Sequence, residues 1–307
     1  MNFRRSFPAI IVAILAPAAV FSATATDVLR RAEVADRYVS YRGVKSATVS
    51  LGCRTATAIL KTIHLKPDKT RTEYFSPAPL AGVILIDNGE EVWKYDPREE
   101  AWEPMFTRVR PPMEAISRQA ARNYDIRLVG TDEVAGREVY VIHADPKREG
   151  ESARRLWIDR EFYLIVGTQV ESPSGKIVNS ARFTRVEFNP DDISPSIFKP
   201  SGKIKSVSAS TGPTKFAVAK PTYLPDGYRL VSLSRVNVNG CSSTLLQFSN
   251  GINTVSLFQQ KANGKTPPKQ FKGGLMNVIA WNRSDMHFTL MGDLPRPDLK
   301  KIADSVR

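Results

Sequence analysis

Soft metal ligands are scarce in this chain of 307 residues, which has two cysteines, Cys53 and Cys241, and three histidines, His64, His143 and His287. That scarcity argues against a structural zinc site, which takes four thiolate or imidazole donors. No HExxH spacing, Gly-x-Ser-x-Gly elbow or recognisable cysteine nucleophile is present, so no catalytic residue, metal or cofactor is expected. His143 lies in a strand-like run and reads as a turn-edge or core histidine. Asp87, Glu90 and Glu91 flank a turn, where acids are simply solvated. In an oxidising compartment Cys53 and Cys241 could form one bridge or remain two separately buried thiols. A bridge closing so long a loop could stabilise the fold by up to about 5 kcal/mol.

Long apolar runs are equally sparse. The one candidate, Phe7 to Phe21, is interrupted by Pro8 and Pro17 and falls short of the roughly 20 residues that span a bilayer. Arg4 and Arg5 precede it and Ala23-Thr24-Ala25 follows, the layout of a secretory signal peptide over residues 1–25. An uncleaved anchor is the alternative. The remainder is expected to be exported and soluble.

Glutamate is missing altogether from Ser201 onward. Between Thr26 and Pro200, 27 Lys and Arg face 26 Asp and Glu; from Ser201 to Arg307 the count is 15 against 5. Of the net charge of +13, +10 thus belongs to the last third of the chain. Such a field suits an acidic protein segment or peripheral contact with an anionic membrane surface, while export argues against nucleic acid. A solvated basic face without a dedicated partner is the other reading.

What the chain has in quantity is strand and turn chemistry. Thr26-Asp27 can cap an amphipathic helix from Val28 to Tyr41, with Gly43 as its stop. Strand patterns cover Ala47–Leu51, Thr57–Leu65, Thr70–Phe75, Val83–Asp87, Glu91–Tyr95 and Ala101–Met105, with Asn88-Gly89 the strongest hairpin signal. Pro111-Pro112 starts a second helix reaching about Asn123. From Ile126 to Phe188 β-prone runs alternate with turns too tightly for crossover helices, so an antiparallel meander is expected. Two helices cannot cover both faces of so large a sheet. The fold class expected is α+β, mostly antiparallel β: a half-closed barrel with two helices at its mouth. Phe183 falls out of phase with Val186 and Phe188, which predicts a bulge.

Pro190 to Pro213 is rich in Pro, Ser, Gly and Lys, and charge changes across it. The expected organisation is a half-barrel over 26–200, a linker over 201–217 and a smaller β-rich domain over 218–307. In the latter, Tyr228–Val236, Ser243–Phe248, Asn253–Gln260, Leu275–Trp281 and Met286–Met291 read as strands. Pro297–Val306 reads as a closing helix.

Several of these stretches resemble the MucB/RseB family. Arg127–Arg137 (RLVGTDEVAGR), Arg155–Arg160 (RLWIDR), the Ser174-Gly175 turn and Phe183–Phe188 (FTRVEF) are similar to its N-terminal domain. Pro221–Tyr228 (PTYLPDGY), Asn250-Gly251 and Gly292–Val306 are similar to its C-terminal domain. The resemblance implies a LolA-like half-barrel in the periplasm that binds a membrane-anchored anti-sigma factor and senses lipid-type signals of envelope stress. Between about Gly43 and Asn123 the chain looks more like a generic lipoprotein-carrier fold, so a periplasmic lipid or lipoprotein carrier is the alternative. Either role asks for an apolar cavity able to take acyl chains. Trp93, Tyr95, Trp102, Leu156, Trp157, Ile158, Leu164 and Val166 are the candidate lining, with ordinary core packing as the competing reading for each.

Overall fold

The computed structural model describes residues 23–51, 54–107, 114–205, 217–238, 241–262 and 277–307. Six strands come first: β1 (Tyr41–Leu51), β2 (Arg54–Leu65), β3 (Lys69–Ser76), β4 (Ile84–Asp87), β5 (Glu91–Asp96) and β6 (Ala101–Thr107). The meander supplies five more: β7 (Tyr124–Val134), β8 (Arg137–Pro146), β9 (Ala153–Asp159), β10 (Ile165–Glu171) and β11 (Ile177–Phe188). They hydrogen-bond in the order β6-β5-β4-β3-β2-β1-β11-β10-β9-β8-β7, antiparallel at every joint. β7 comes back against β11, although four strand spacings would hold the two about 19 Å apart in a flat sheet. The meander is therefore strongly curled. Two helices, α1 (Ala25–Val34) and α2 (Glu114–Asn123), lie side by side over it.

The predicted bulge falls at Thr184. Val44 pairs with Arg185 and Lys45 with Phe183, leaving Thr184 unpaired in the ladder, with its hydroxyl donating to the Val44 carbonyl at 3.2 Å. The first helix departs from expectation at both ends. Its cap is Thr24, whose hydroxyl oxygen accepts the Asp27 N–H at 3.1 Å, and it gives way to a 3-10 turn at Ala35–Arg37. Tyr41 is already in the sheet, paired with both His64 and Phe188, because ladder pairing outweighs the local helical periodicity. Gly43 is a strand residue: a Cβ there would overlap the Arg185 carbonyl oxygen and lie 2.7 Å from the Phe183 ring. Its missing side chain allows the bulge to close.

The second module holds β12 (Arg229–Val238), β13 (Cys241–Ser249), β14 (Thr254–Lys261), β15 (Asn277–Arg283), β16 (Met286–Gly292) and the helix α3 (Arg296–Ser305). Its strand order is β15-β16-β14-β13-β12. α3 buries Leu299, Ile302 and Ala303 against Leu246, Leu257, Phe288 and Leu290. Among the described residues a single pair, Val236 with Phe106, joins β12 to β6, so one ladder runs through the sixteen described strands.

Of the expected linker, residues 203–205 run beside β6: Trp102 N donates to the Lys203 carbonyl at 2.9 Å and Lys205 N to the Trp102 carbonyl at 2.8 Å. Residues 206–216, most of the expected signal peptide (1–22) and Cys53 lie outside the described residues. The choice between a Cys53–Cys241 bridge and two separate thiols therefore does too.

Candidate functional site

The eight residues expected to line one cavity are distributed over three clusters. Trp93, Tyr95 and Trp102 pack with Ile86 and with Phe198, which arrives on the 3-10 turn Pro195–Phe198. Trp102 is buried, 5.3 Å from the Tyr95 ring, and its indole N–H donates to the Ser201 carbonyl at 2.9 Å. Leu156 and Ile158 face α1, with Val28, Ala32 and Ile142. Trp157, Leu164 and Val166 lie on the opposite face of the meander, with Tyr41, Val139, Val141 and Phe183. Neighbours in a strand point to opposite sides, so Trp157 cannot share a lining with Leu156 and Ile158. Trp157 is held on several sides. The Arg182 guanidinium stacks 3.6 Å over its ring and its indole N–H donates to Asp132 at 2.9 Å. The Glu133 backbone N–H and this indole hold the Asp132 carboxyl below its ordinary range.

Among the described residues no group of three or more His, Cys, Asp or Glu is arranged to hold a metal, and no helix is long and apolar enough to cross a membrane. His143 sits on β8 with Nδ1 3.1 Å from Asp145 and Nε2 3.6 Å from Glu171. Burial raises the Asp145 carboxyl, but Arg127 and His143 outweigh it and leave the group below its ordinary range. His64 is buried between Thr70 and the Asp36 carbonyl, and His287 bonds Asn282. Each histidine thus has a structural partner.

The densest polar arrangement lies at the seam between the two modules. Gln119 on α2 donates to the carbonyls of Gly227 at 2.7 Å and Ser249 at 2.6 Å, and accepts from Arg229 at 2.8 Å. Asn123 donates to the Asn250 carbonyl at 2.7 Å. The Glu151 carboxylate is buried and accepts from Asn250 at 2.7 Å and Arg148 at 3.2 Å; Arg148 also reaches Asp298 at 2.7 Å. Ser152 donates to Asp293 at 3.1 Å, and Arg154 to Asn253 at 2.6 Å. Burial pushes the Asp293 carboxyl above its ordinary range, with Arg154 opposing. Backbones also meet closely: Gly251 lies flat against Ala120, where any Cβ would overlap the Ala120 nitrogen. A buried, extensively hydrogen-bonded seam of this kind fixes the orientation of two modules. Asn250-Gly251 thus serves twice, as the turn between β13 and β14 and as the seat of α2 on the second module.

At the far end of the second module the basic side chains gather. Lys220 and Arg307 exchange backbone hydrogen bonds at 2.9 and 3.0 Å, and the Arg283 guanidinium donates to the neighbouring Val306 carbonyl. All three side chains are exposed. Other exposed cations among the described residues are partly offset: Lys300 by Asp304 at 2.6 Å, Lys261 by Asp285 at 3.5 Å and Lys301 by Asp298 at 4.0 Å.

Comparison with known proteins agrees with this two-part build. Residues 85–212 match the MucB/RseB N-terminal domain and residues 213–307 the MucB/RseB C-terminal domain. The Sigma-E factor regulatory protein RseB of Escherichia coli K12 is 23% identical over 189 residues, a stretch covering 60% of this chain and 59% of that protein. The match thus spans about three fifths of the relative's length. RseB of Salmonella typhimurium is 22% identical over 204 residues, 62% of this chain and 61% of the relative. A crystal structure of MucB superposes with a TM-score of 0.68 at 17% identity, over 94% of this chain and 98% of MucB. MucB in complex with MucA(peri) gives 0.62 at 19% identity, over 92% and 98%. With both domains present in the same order and the fold shared across nearly the whole described chain, the protein belongs to the MucB/RseB family.

Proposed function

We propose that this chain is a periplasmic regulator that binds the periplasmic segment of a membrane-anchored anti-sigma factor and is not an enzyme. The observation that carries the reading is the pairing of the two modules. A carrier of acyl chains needs only the curled sheet, whereas this chain holds a second, strongly basic module against it through a buried seam. MucB, which shares this fold, has been crystallised with MucA(peri). An acidic stretch of the partner would be drawn to the exposed cations Lys220, Arg283 and Arg307. Lipid-type signals would act by competing with that contact or by altering the module that presents it.

The reading is tested by recovering partners from envelope extracts with the tagged full-length chain. An anti-sigma factor retained at low salt and lost at high salt supports it. Recovery of lipoproteins with no anti-sigma factor would favour the carrier and sink the regulator.

A further inference from the structure

Among the described strands, β7 and β15 close the sheet at its two ends. An outermost strand leaves half of its backbone N–H and C=O groups without a ladder partner, and proteins blunt such edges with bulges, charges or proline. β7 is blunted. Its register breaks between Leu128 and Gly130, leaving Val129 as a bulge, and Asp125, Arg127, Asp132 and Glu133 lie along it. β15 has none of these devices. Its register on β16 is unbroken from Asn277 to Arg283. Its sequence, NVIAWNR, holds no proline and a single charge, Arg283, at the end.

Ser284-Asp285 is a two-residue turn, and Arg283 pairs with Met286 across it. The pair flanking such a turn exchanges ladder bonds, and bonding then alternates along the strand. Asn277, Ile279, Trp281 and Arg283 therefore bond to β16, while Val278, Ala280 and Asn282 direct their backbone groups outward. Among the described residues these three outward positions meet no backbone partner. The side chains suit a further strand as well. Ile279 and Trp281 are half-buried at the rim of the core that α3 covers, with the Trp281 ring stacked 5.2 Å from Phe288. Arg283 shares their face. Its guanidinium reaches the Val306 carbonyl, which places it beside the exposed Arg307 and Lys220.

We propose that β15 is a docking strand, beside which an extended, acidic segment of the partner adds as a further strand of the sheet. The backbone of that segment satisfies the outward groups of Val278, Ala280 and Asn282. On one face its apolar side chains meet Ile279 and Trp281, and its carboxylates meet Arg283, Lys220 and Arg307. A second copy of this chain fits less well, because it brings together two modules that each carry 15 Lys and Arg against 5 Asp and Glu, and like fields repel. The identity of the partner rests on the regulator reading; the surface and the extended conformation go beyond it.

The test uses the full chain and the periplasmic segment of an anti-sigma factor encoded in the same genome, titrated by calorimetry. Ala280→Pro removes an outward N–H and keeps the bonds to β16, the one place where a strand tolerates proline. It should weaken binding at least tenfold with unchanged far-UV circular dichroism. Arg283→Glu should weaken it too, by a factor that shrinks as salt rises. In the wild-type chain, amide exchange at Val278, Ala280 and Asn282 should slow at least tenfold on binding, a readout that needs no variant. Tight binding that Ala280→Pro leaves unchanged, or that gives these amides no protection, overturns the docking strand and leaves the regulator reading standing. Absence of binding by folded wild-type chain refutes the regulator reading itself, and this partner for β15 with it. A free chain whose mass doubles with concentration, and no longer does so in Ala280→Pro, would assign the edge to a second copy and overturn the choice of occupant.

Discussion

Asn250 donates its side-chain amide to the carboxylate of Glu151 at 2.7 Å, across the seam between the two modules. Both side chains are buried. A buried carboxylate is tolerated only with its hydrogen bonds made, and here the donors come from both sides of the seam: Tyr124 and Arg148 from the first module, Asn250 from the second. Asn250→Ala removes the closest of them. It should destabilise the protein by about 2–4 kcal/mol, read as a lowered urea midpoint.

Gly251 carries a φ of +102° and lies against the backbone of α2 at Ala120. Gly251→Ala therefore meets a strained backbone and a steric clash that no side-chain rotation relieves. The modules should part at this seam while each keeps its own core. Limited proteolysis should then cut between them much faster, with little change in far-UV circular dichroism.

Phe198 is 1% exposed and seals Trp102 and Ile86 at the start of the segment leading to the second module. Truncation to Ala should cost about 3–5 kcal/mol. Thermal unfolding measures the cost, and Trp102 fluorescence should shift to the red as water reaches the indole.

The seam should also respond to acid in an unusual sense. The Asp293 carboxyl is raised by burial above the ordinary 3.8, so the folded state holds its proton more tightly than the unfolded chain. Its relative stabilisation is complete below pH 3.8 and is lost as pH rises through the raised folded value. Asp132 and Asp145 have the opposite sign, with folded values lowered below 3.8, so their contribution is present above 3.8 and lost on acidification. Comparing the pH dependence of Tm for the wild type and Asp293→Asn isolates the first effect. The wild type should lose ground to the variant as pH rises above 3.8, then level off.

Much of the sheet was legible because strands announce themselves locally. Asn88-Gly89 joins β4 to β5, with Asn88 accepting the N–H groups of Glu90 and Glu91, and the phase slip around Phe183 marked the bulge at Thr184. The end of α1 was not legible, since Tyr41 keeps helical spacing but is claimed by strands more than twenty residues away. The lining residues misled for a related reason. Trp157 lies between Leu156 and Ile158 in sequence, yet alternation sends it to the other face of the meander, and Trp93, Tyr95 and Trp102 belong to a third cluster. The seam left no pattern at all: Gln119, Glu151 and Asn250 are single polar residues from three distant segments.

The central claim is most directly tested by the affinity of the purified chain for the periplasmic segment of an anti-sigma factor encoded in the same genome. Saturable binding is predicted, weakened by salt and by Lys220→Glu/Arg307→Glu. Absence of saturable binding at low salt, by chain that is folded by circular dichroism, would contradict the account.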